Sequence, residues 1–302
     1  IRVIDNGSGM SKNDAVLAFS RHATSKLKKL KDLFHINSLG FRGEALPSIA
    51  AVSHITLKTS NNDEGTIVII DGGKLESVEK SDVKKGTSII VKNLFYNTPV
   101  RLKYLKNPYV ELANITDYIN KMALSYPNVR FLLSNNSKKL LQTDGSNRLL
   151  KVINSIYGID ITKKMIDIDA QNDDYKIKGY ISYPEIMKSS NNSITLLVNG
   201  RVIKNYEVIK TIHEVYHTYM PRDKYPIVVL NIEVDPILID VNVHPTKMDI
   251  KFSKINTLKE LITETIKSKL EKRNLIPDAV TNTKVEENKI KVFTEYSTYT
   301  NE

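Results

Sequence analysis

The first ten residues, IRVIDNGSGM, place an acid, an amide and two glycines directly after a short apolar run. A carboxylate at a strand end, such as that of Asp5, can accept a hydrogen bond from an exocyclic amine. Gly7 and Gly9 carry no Cβ and therefore let the backbone approach a flat ring closely. Asn-Gly is also a common tight-turn dipeptide. The segment therefore predicts either a ring-binding loop or a plain β-turn.

A second candidate site is a glycine-rich loop that leads into a predicted helix. Backbone N–H groups at a helix start bind phosphate, and the helix dipole adds to this attraction. Glycine-rich loops before helices are also common where no ligand binds. The loop is composed of Gly40, Phe41, Arg42, Gly43, Glu44 and Ala45.

Three further segments carry polar groups that suit a nucleotide or simply face solvent. Thr24, Ser25 and Lys26 lie in the polar run RHATSK, which suits a lid over phosphates. Thr87 opens a predicted strand and can place a hydroxyl beside a ring, although Gly86-Thr87 also suits a turn. Lys247 follows a strand-ending His-Pro pair and can reach a terminal phosphate as a point charge. None of these signals is specific by itself.

The apolar periodicity predicts the elements that position these residues. Ser11 is the predicted N-cap of the first helix, with Asp14 completing a capping-box variant. Strands are predicted at 55–60, 66–71, 87–95, 129–135, 175–183, 193–199, 226–234 and 238–243. Helices are predicted at 11–19, 45–51, 110–123, 148–158, 206–220 and from 257 onward.

Composition limits the class of protein. The chain has 302 residues, of which 41% are hydrophobic, enough for the cores of two domains. It contains no cysteine and no apolar run of about 20 residues, so we expect a cytoplasmic protein with no membrane span. The net charge of +10 favours polyanionic partners, although a lysine-rich surface can also be merely solvated.

A turn cluster, QTDGSN at 142–147, predicts a domain boundary. We predict one unit at 1–143, a second at 147–274 and a linker or tail at 275–302. Both units mix strands with helices without strict βαβ alternation. The predicted fold class is therefore a two-domain α+β or α/β protein, with helices layered against mixed sheets.

Taken together and in order, six segments closely resemble the N-terminal region of MutL-type DNA mismatch repair proteins, from Ile1 to about Arg273. They are DNGSGM, RHATSK, LGFRGEALPSIAAVS, GTSIIVKNLFYNTPVR, LLVNGR and DVNVHPTKMDIKF. That family belongs to the GHKL ATPase superfamily. The resemblance implies a GHKL (Bergerat-type) ATP-binding sandwich followed by a ribosomal-protein-like α/β transducer domain.

The resemblance also implies roles for the candidate residues. Asp5 would hold the adenine amine, with Gly7, Gly9 and Thr87 in the adenine pocket. Lys247 would reach the γ-phosphate from the second domain. The ATP lid would include Thr24, Ser25 and Lys26, and the phosphate loop would consist of Gly40, Phe41, Arg42, Gly43, Glu44 and Ala45. Arg201 and Lys204, after the NGR turn, would contact DNA phosphates.

One departure from the family pattern bears on catalysis. ATP and Mg²⁺ are the implied cofactors, but the family's general-base glutamate and Mg²⁺-binding asparagine precede its DNGSG motif. Neither lies in this chain, and no other residue is assigned to the metal. Hydrolysis depends on a water positioned in line with the γ-phosphate. We therefore expect the full-length parent to hydrolyse ATP and this chain alone to hydrolyse little or none.

The implied partners are non-specifically bound DNA, a mismatch-recognition protein of the MutS type and a second copy that dimerises on ATP binding. Three alternatives stay open from the sequence. The chain could be a nucleotide-switched scaffold without significant turnover, the ATPase region of a type II topoisomerase, or a basic nucleic-acid-binding module without nucleotide.

Overall fold

The computed structural model describes residues 1–21, 43–62, 64–240 and 250–274. Its helices are α1 (Lys12–Leu17), α2 (Ala45–Ala50), α3 (Pro99–Lys103), α4 (Pro108–Ser125), α5 (Leu149–Tyr157), α6 (Ile159–Thr162), α7 (Tyr206–Tyr216) and α8 (Ile255–Asn274). Its strands are β1 (Arg2–Asp5), β2 (His54–Ser60), β3 (Gly65–Asp71), β4 (Lys74–Ser81), β5 (Gly86–Lys92), β6 (Leu132–Asn135), β7 (Lys138–Gln142), β8 (Met165–Gln171), β9 (Tyr175–Ser182), β10 (Ile194–Val198), β11 (Arg201–Ile203), β12 (Val228–Val234), β13 (Ile239–Asp240) and β14 (Lys251–Phe252).

The first sheet has five strands in the order β1-β5-β2-β3-β4. All of its neighbouring strands are antiparallel, whereas the sequence predicted a mixed sheet. The β2–β3 and β3–β4 pairs are antiparallel because short turns join consecutive strands, and a short turn reverses the chain direction. β1 lies at one edge and is exposed at all four positions.

Helices α1 and α2 cover one face of this sheet. The buried cluster joins Ala15 of α1 and Ala50 of α2 to alternate residues of β2 and β3, namely Ile55, Leu57, Val68 and Ile70. Ile55 pairs with Ile70 and Leu57 with Val68 across the two strands, so the four side chains share one face. The predicted N-cap is confirmed, since Ser11 accepts a hydrogen bond from the Asp14 N–H at 3.2 Å.

The second sheet has the order β11-β10-β12-β9-β8 and is mixed, because β10 and β12 are parallel. Helices α7 and α8 pack on one face in the larger buried cluster. Helices α4 and α5 pack on the other face, where Leu197 of β10 and Val229 of β12 are buried. β10 is therefore buried at every position, as expected for a central strand covered on both sides.

The second core crosses the predicted boundary at 143–147. Ala123 and Leu124 of α4 and Leu141 of β7 precede the boundary, yet they share a buried cluster with Val152 and Ile153 of α5. The segment between the two sheets is thus packed on the second sheet. The domain limits themselves stay a prediction.

The predicted α+β fold class is confirmed, with two sheets and helices layered against them. Strands β4, β7, β8, β11 and β14 were not predicted. The predicted strand at 87–95 ends at Lys92, because Asn93 and Phe95 take positive φ angles of 50° and 69° in a turn. Over the described ranges, no helix is both long and apolar enough to cross a membrane.

Candidate functional site

Three side chains form a row across the first sheet. Asp5 is the register partner of Thr87 across the β1–β5 pair, and Thr87 is the partner of Thr59 across the β5–β2 pair. Cross-strand partners lie on one face. Two residues before Thr59, Leu57 points into the core under the helices, so the row lies on the helix-covered face of the sheet.

The Thr59 hydroxyl ties three chain segments together. Thr59 is fully buried, and its Oγ1 accepts a hydrogen bond from the Met10 N–H and donates one to the Gly86 carbonyl, both at 3.0 Å. The Thr87 Oγ1 lies 3.2 Å away. A hydroxyl has only one hydrogen. Because Thr59 gives its hydrogen to Gly86, the hydrogen in this contact comes from Thr87, whose lone pairs stay available to accept.

The turn after β1 needs its glycines because the backbone approaches the sheet closely. Gly9 has a φ of +69°, and a Cβ there would lie 1.8 Å from the carbonyl oxygen of Ser60. Gly86 has a φ of +125°, and a Cβ would lie 2.2 Å from the Asp5 carbonyl oxygen. Both positions therefore require a residue without a side chain. The turn after β1 and the start of β5 therefore lie directly against neighbouring backbone, beside the Asp5–Thr87 pair.

Asp5 has one carboxylate oxygen in use and one available. Its Oδ1 accepts the Gly7 N–H at 2.8 Å, which closes the turn. A Cβ on Gly7 would lie 2.8 Å from the same oxygen, so this position also favours glycine. Among the residues that the structure describes, no donor reaches the second oxygen. A ligand that brings an N–H group can fill that position.

The end of the predicted phosphate loop lies at the start of α2. Gly43 has a φ of +60°, and Glu44 is the N-cap residue without a side-chain capping bond. The Glu44 carbonyl accepts the Ser48 hydroxyl at 2.7 Å. At the other end of the helix, Ala50 packs with Leu57, so α2 lies on the same sheet face as the Asp5–Thr87–Thr59 row.

Seven of the predicted site residues lie outside the described residues. They are Thr24, Ser25, Lys26, Gly40, Phe41, Arg42 and Lys247. The convergence of the lid, the phosphate loop and the distant lysine on one ligand therefore stays a prediction. The described part of the candidate nucleotide site contains Asp5, Gly7, Gly9 and Thr87, together with Gly43, Glu44 and Ala45 at the start of α2.

The predicted DNA-contacting residues lie on the second sheet. Arg201 opens the edge strand β11 after the tight turn at Asn199 and Gly200, whose φ angles are +48° and +79°. The Asn199 side chain bonds both backbone groups of Val234, at 2.9 and 3.0 Å, which fixes the turn. Lys204 is exposed and directly precedes Asn205, the N-cap of α7. Arg201 lies in and Lys204 directly follows the edge strand of the second sheet, whereas the Asp5–Thr87 row lies on the first sheet.

A hydrogen-bonded group of side chains lies at the opposite end of β2. Tyr96 donates to Asp71 Oδ1 at 2.5 Å, and the His54 Nδ1 lies 2.8 Å from the same oxygen. The rings of His54 and Tyr96 stack at 4.2 Å. The hydrogen bond to Asp71 raises the pKa of Tyr96. Tyr96 belongs to the FYNTP segment, and its role here is to hold that turn against the β2–β3 pair.

Thr59 is the site residue that sequence analysis missed. It stands in the predicted strand ITLKTS, at the third position of the inward face after Ile55 and Leu57. A polar residue in the core-facing register of a strand needs a hydrogen-bond partner. That pattern was the available signal.

Comparisons with known proteins agree on one family. Residues 153–271 match the family described as DNA mismatch repair protein, C-terminal domain. The DNA mismatch repair protein MutL of Geobacillus sp. (strain WCH70) is 50% identical over 279 residues, which is 92% of this chain and 45% of that protein. The chain thus spans about half the length of the curated relatives that it matches.

Solved structures share the fold. A crystal structure of the N-terminal domain of a DNA repair protein aligns with a TM-score of 0.75 and 25% identity, over 91% of this chain and 86% of that one. The Aquifex aeolicus MutL ATPase domain complexed with ADP aligns with a TM-score of 0.58 and 22% identity, over 87% of this chain and 84% of that one. At 22% identity, the alignment with the Aquifex aeolicus domain shows a shared fold and nothing further.

Proposed function

Since this chain belongs to the MutL-type DNA mismatch repair proteins, we propose that it binds ATP on the helix-covered face of its first sheet. The observation that carries the proposal is the row of Asp5, Thr87 and Thr59 beside the glycine turn. Dimerisation would follow from nucleotide binding, and DNA would be bound without sequence specificity. Activity and partners of the longer protein belong to the same proposal.

Adenine fits the polar groups at Asp5. The free carboxylate oxygen of Asp5 accepts from the exocyclic amine of adenine, and the Thr87 oxygen can accept as well. Gly9 and Gly86 bring backbone close to this position, and a Cβ at either glycine would meet a carbonyl oxygen within 2.2 Å. The pocket would select adenine over guanine, because guanine carries an acceptor at the position of the amine.

The triphosphate would extend from the adenine site toward the start of α2. Gly43, Glu44 and Ala45 supply backbone N–H groups there, together with the preceding loop residues. Lys247 and the lid residues at 24–26 complete the proposed phosphate contacts. Mg²⁺ would screen the phosphate charge when bound.

Nucleotide binding is tested by titrating the chain with a non-hydrolysable ATP analogue in calorimetry. Asp5→Asn keeps an oxygen for the Gly7 N–H but turns an amide donor toward the amine. Loss of one such hydrogen bond to a charged acceptor predicts about a tenfold or greater drop in affinity. Asp160→Asn, an exposed acid in α6, is the matched control. Equal affinity of Asp5→Asn and the parent chain would overturn the proposed adenine site.

Turnover is a separate measurement. We propose ATP hydrolysis for the longer protein, while little or no hydrolysis by this chain stays a prediction. Steady-state phosphate release from this chain, beside that from a full-length relative, tests it. Equal turnover would show that the chain carries its own general base.

The DNA half of the proposal depends on charge. Arg201 and Lys204 would contact backbone phosphates, which position a protein without reading sequence. Duplex affinity should be independent of sequence and should fall steeply between about 50 and 200 mM salt because counterions are released. Fluorescence anisotropy with the Arg201→Ala and Lys204→Ala variants tests this, with Lys74→Ala in β4 as control. A salt-independent affinity contradicts the proposal.

The protein partners are proposed from the family. A second copy of the chain would dimerise when ATP binds, and a mismatch-recognition protein of the MutS type would bind the assembled protein. Sedimentation velocity with and without the ATP analogue tests the first point. An unchanged sedimentation coefficient under saturating nucleotide argues against ATP-linked dimerisation. The cytoplasmic location stays a prediction.

A further inference from the structure

A continuous stretch of the surface exposes aromatic and aliphatic side chains. Every residue from Pro99 to Val110 is exposed, and α3 within this stretch buries none of its residues. Tyr104 and Tyr109 are each 81% exposed. Single exposed apolar residues are ordinary, but a contiguous apolar patch on a protein surface marks a site of interaction. We call residues 99–110 the tyrosine segment.

The tyrosine segment is also positively charged. Arg101, Lys103 and Lys106 stand between and beside the two tyrosines, and no acidic residue occurs from Asn93 to Val110. The first acid that follows is Glu111, whose Oε1 accepts the Lys106 N–H at 3.2 Å. The tyrosine segment therefore offers aromatic faces and three cations with no carboxylate of its own, and the adjacent Glu111 carboxylate accepts a backbone hydrogen bond.

The backbone of the tyrosine segment is held by the C-terminal end of α3 and the N-terminal end of α4. Tyr104 caps α3 through its N–H, which donates to the Arg101 carbonyl at 3.1 Å. Asn107 caps α4 by accepting the Tyr109 N–H at 2.9 Å, and Pro108 occupies the first turn of that helix. Only four residues separate α3 from α4. The two rings are thus presented from an ordered support, which lowers the entropy lost on binding.

We propose that the tyrosine segment binds single-stranded nucleic acid. The bases would stack on Tyr104 and Tyr109, and the phosphates would be held by Arg101, Lys103 and Lys106. Stacking on exposed aromatic rings together with a cationic surface is how proteins hold single strands without sequence preference. A duplex keeps its bases stacked on one another and so cannot use the two rings. This inference rests on the DNA-binding half of the proposed function and adds a second surface to it.

The test compares two probes with the full chain. Fluorescence anisotropy is measured with a fluorescein-labelled oligo-dT strand and with a labelled duplex of random sequence. The double variant Tyr104→Ala/Tyr109→Ala should weaken single-strand binding by at least about tenfold, because base–aromatic stacking is sensitive to alanine substitution. Its duplex affinity should change by less than about twofold. Tyr118→Ala, 63% exposed on α4, is the matched control.

Each outcome decides a different point. Unchanged single-strand affinity in the double variant overturns the proposed single-strand site at the tyrosine segment. An equal loss of affinity for both probes overturns it as well. If the parent chain binds neither probe at low salt, the DNA half of the proposed function fails as well. If the double variant alters the sedimentation coefficient but not DNA binding, the tyrosine segment is a protein–protein contact and the inference is wrong. Thermal melting checks that every variant is folded.

Discussion

The hydroxyl oxygens of Thr59 and Thr87 lie 3.2 Å apart across neighbouring strands, and Thr87 in turn faces Asp5 on the edge strand. Thr59 is buried, whereas Thr87 is half-buried and Asp5 is exposed. Burial therefore decreases along the row from the interior to the surface. The buried hydroxyl holds the geometry, and the exposed carboxylate is the group that can meet a ligand.

Replacing Thr59 with valine should reduce both stability and nucleotide affinity. Valine has the same shape but no hydroxyl, so the Met10 N–H and the Gly86 carbonyl each lose a partner. Leaving a buried polar group without a partner costs about 1–3 kcal/mol. Chemical denaturation measures the change in the free energy of unfolding, and calorimetry with the ATP analogue measures the change in affinity.

Thr56→Val is the control for this substitution. Thr56 stands on the same strand, on the face away from the helices, and pairs with Ile69 and Ile90. Its substitution should change the free energy of unfolding by less than about 0.5 kcal/mol, as for most surface changes. A Thr59→Val protein as stable as Thr56→Val would show that the hydroxyl does not hold the turn.

Gly9→Ala should be far more harmful than alanine at another glycine with positive φ. At Gly9 the added Cβ would lie 1.8 Å from the Ser60 carbonyl oxygen, so the turn must move away from the sheet. At Gly158 the φ is also positive, at +86°, but no heavy atom lies within 4 Å of the added Cβ. The conformation of Gly158, with φ 86° and ψ 167°, is adopted almost only by glycine and costs another residue about 1–3 kcal/mol.

Thermal melting of the two variants separates steric overlap from backbone strain. Gly158→Ala should lower the melting temperature by a few degrees, consistent with the strain alone. Gly9→Ala should lower it further and should also abolish binding of the ATP analogue. Similar melting temperatures for both variants would mean that the turn after β1 adapts without loss.

Strands of the first sheet differ in how well the sequence predicts them. β2, β3 and β5 are β-branched runs with inward-facing alternation, and they were predicted. β4 has the sequence KLESVEKS, in which charged residues hide the alternation. Charged side chains are typical of an edge strand, since they discourage pairing with another chain. Local hydrophobicity therefore finds central strands and misses a charged edge.

The candidate site shows a similar division. Asp5, Gly7, Gly9 and Thr87 were identified because each belongs to a short local segment. Thr59 gains its role only from the register of β2 against β5, which brings a distant hydroxyl beside Thr87. Register across 28 residues of chain is set by the whole sheet and is not written in either strand alone.

The position of α4 is a third case. Its apolar spacing predicted the helix, but its packing on the second sheet depends on which sheet offers an uncovered apolar face. Ala123 and Leu124 fill the face around Leu197 and Val229, which α7 and α8 leave open. A turn cluster at 142–147 marks a break in the chain, whereas a core is defined by contacts in space.

His217, at the C-terminal end of α7, should make the folded protein less stable in mild acid. Its Nδ1 is buried with no hydrogen-bond partner among the described residues, and its ring lies 4.2 Å from that of His213. Burial, then the charges of His213 and Arg222, lower the pKa of His217, while Glu214 opposes them. The folded protein therefore disfavours the protonated ring.

The sign of the pH effect follows from proton binding. The unfolded chain protonates His217 near pH 6.5, whereas the folded protein does so only at a lower pH. Between these values the unfolded state binds more protons, so stability falls as the pH drops below about 6.5. Denaturant midpoints at pH 7.5 and 5.5 should differ more for the parent chain than for His217→Asn, whose side chain does not titrate. An equal or larger pH effect in His217→Asn would show that other groups cause the sensitivity.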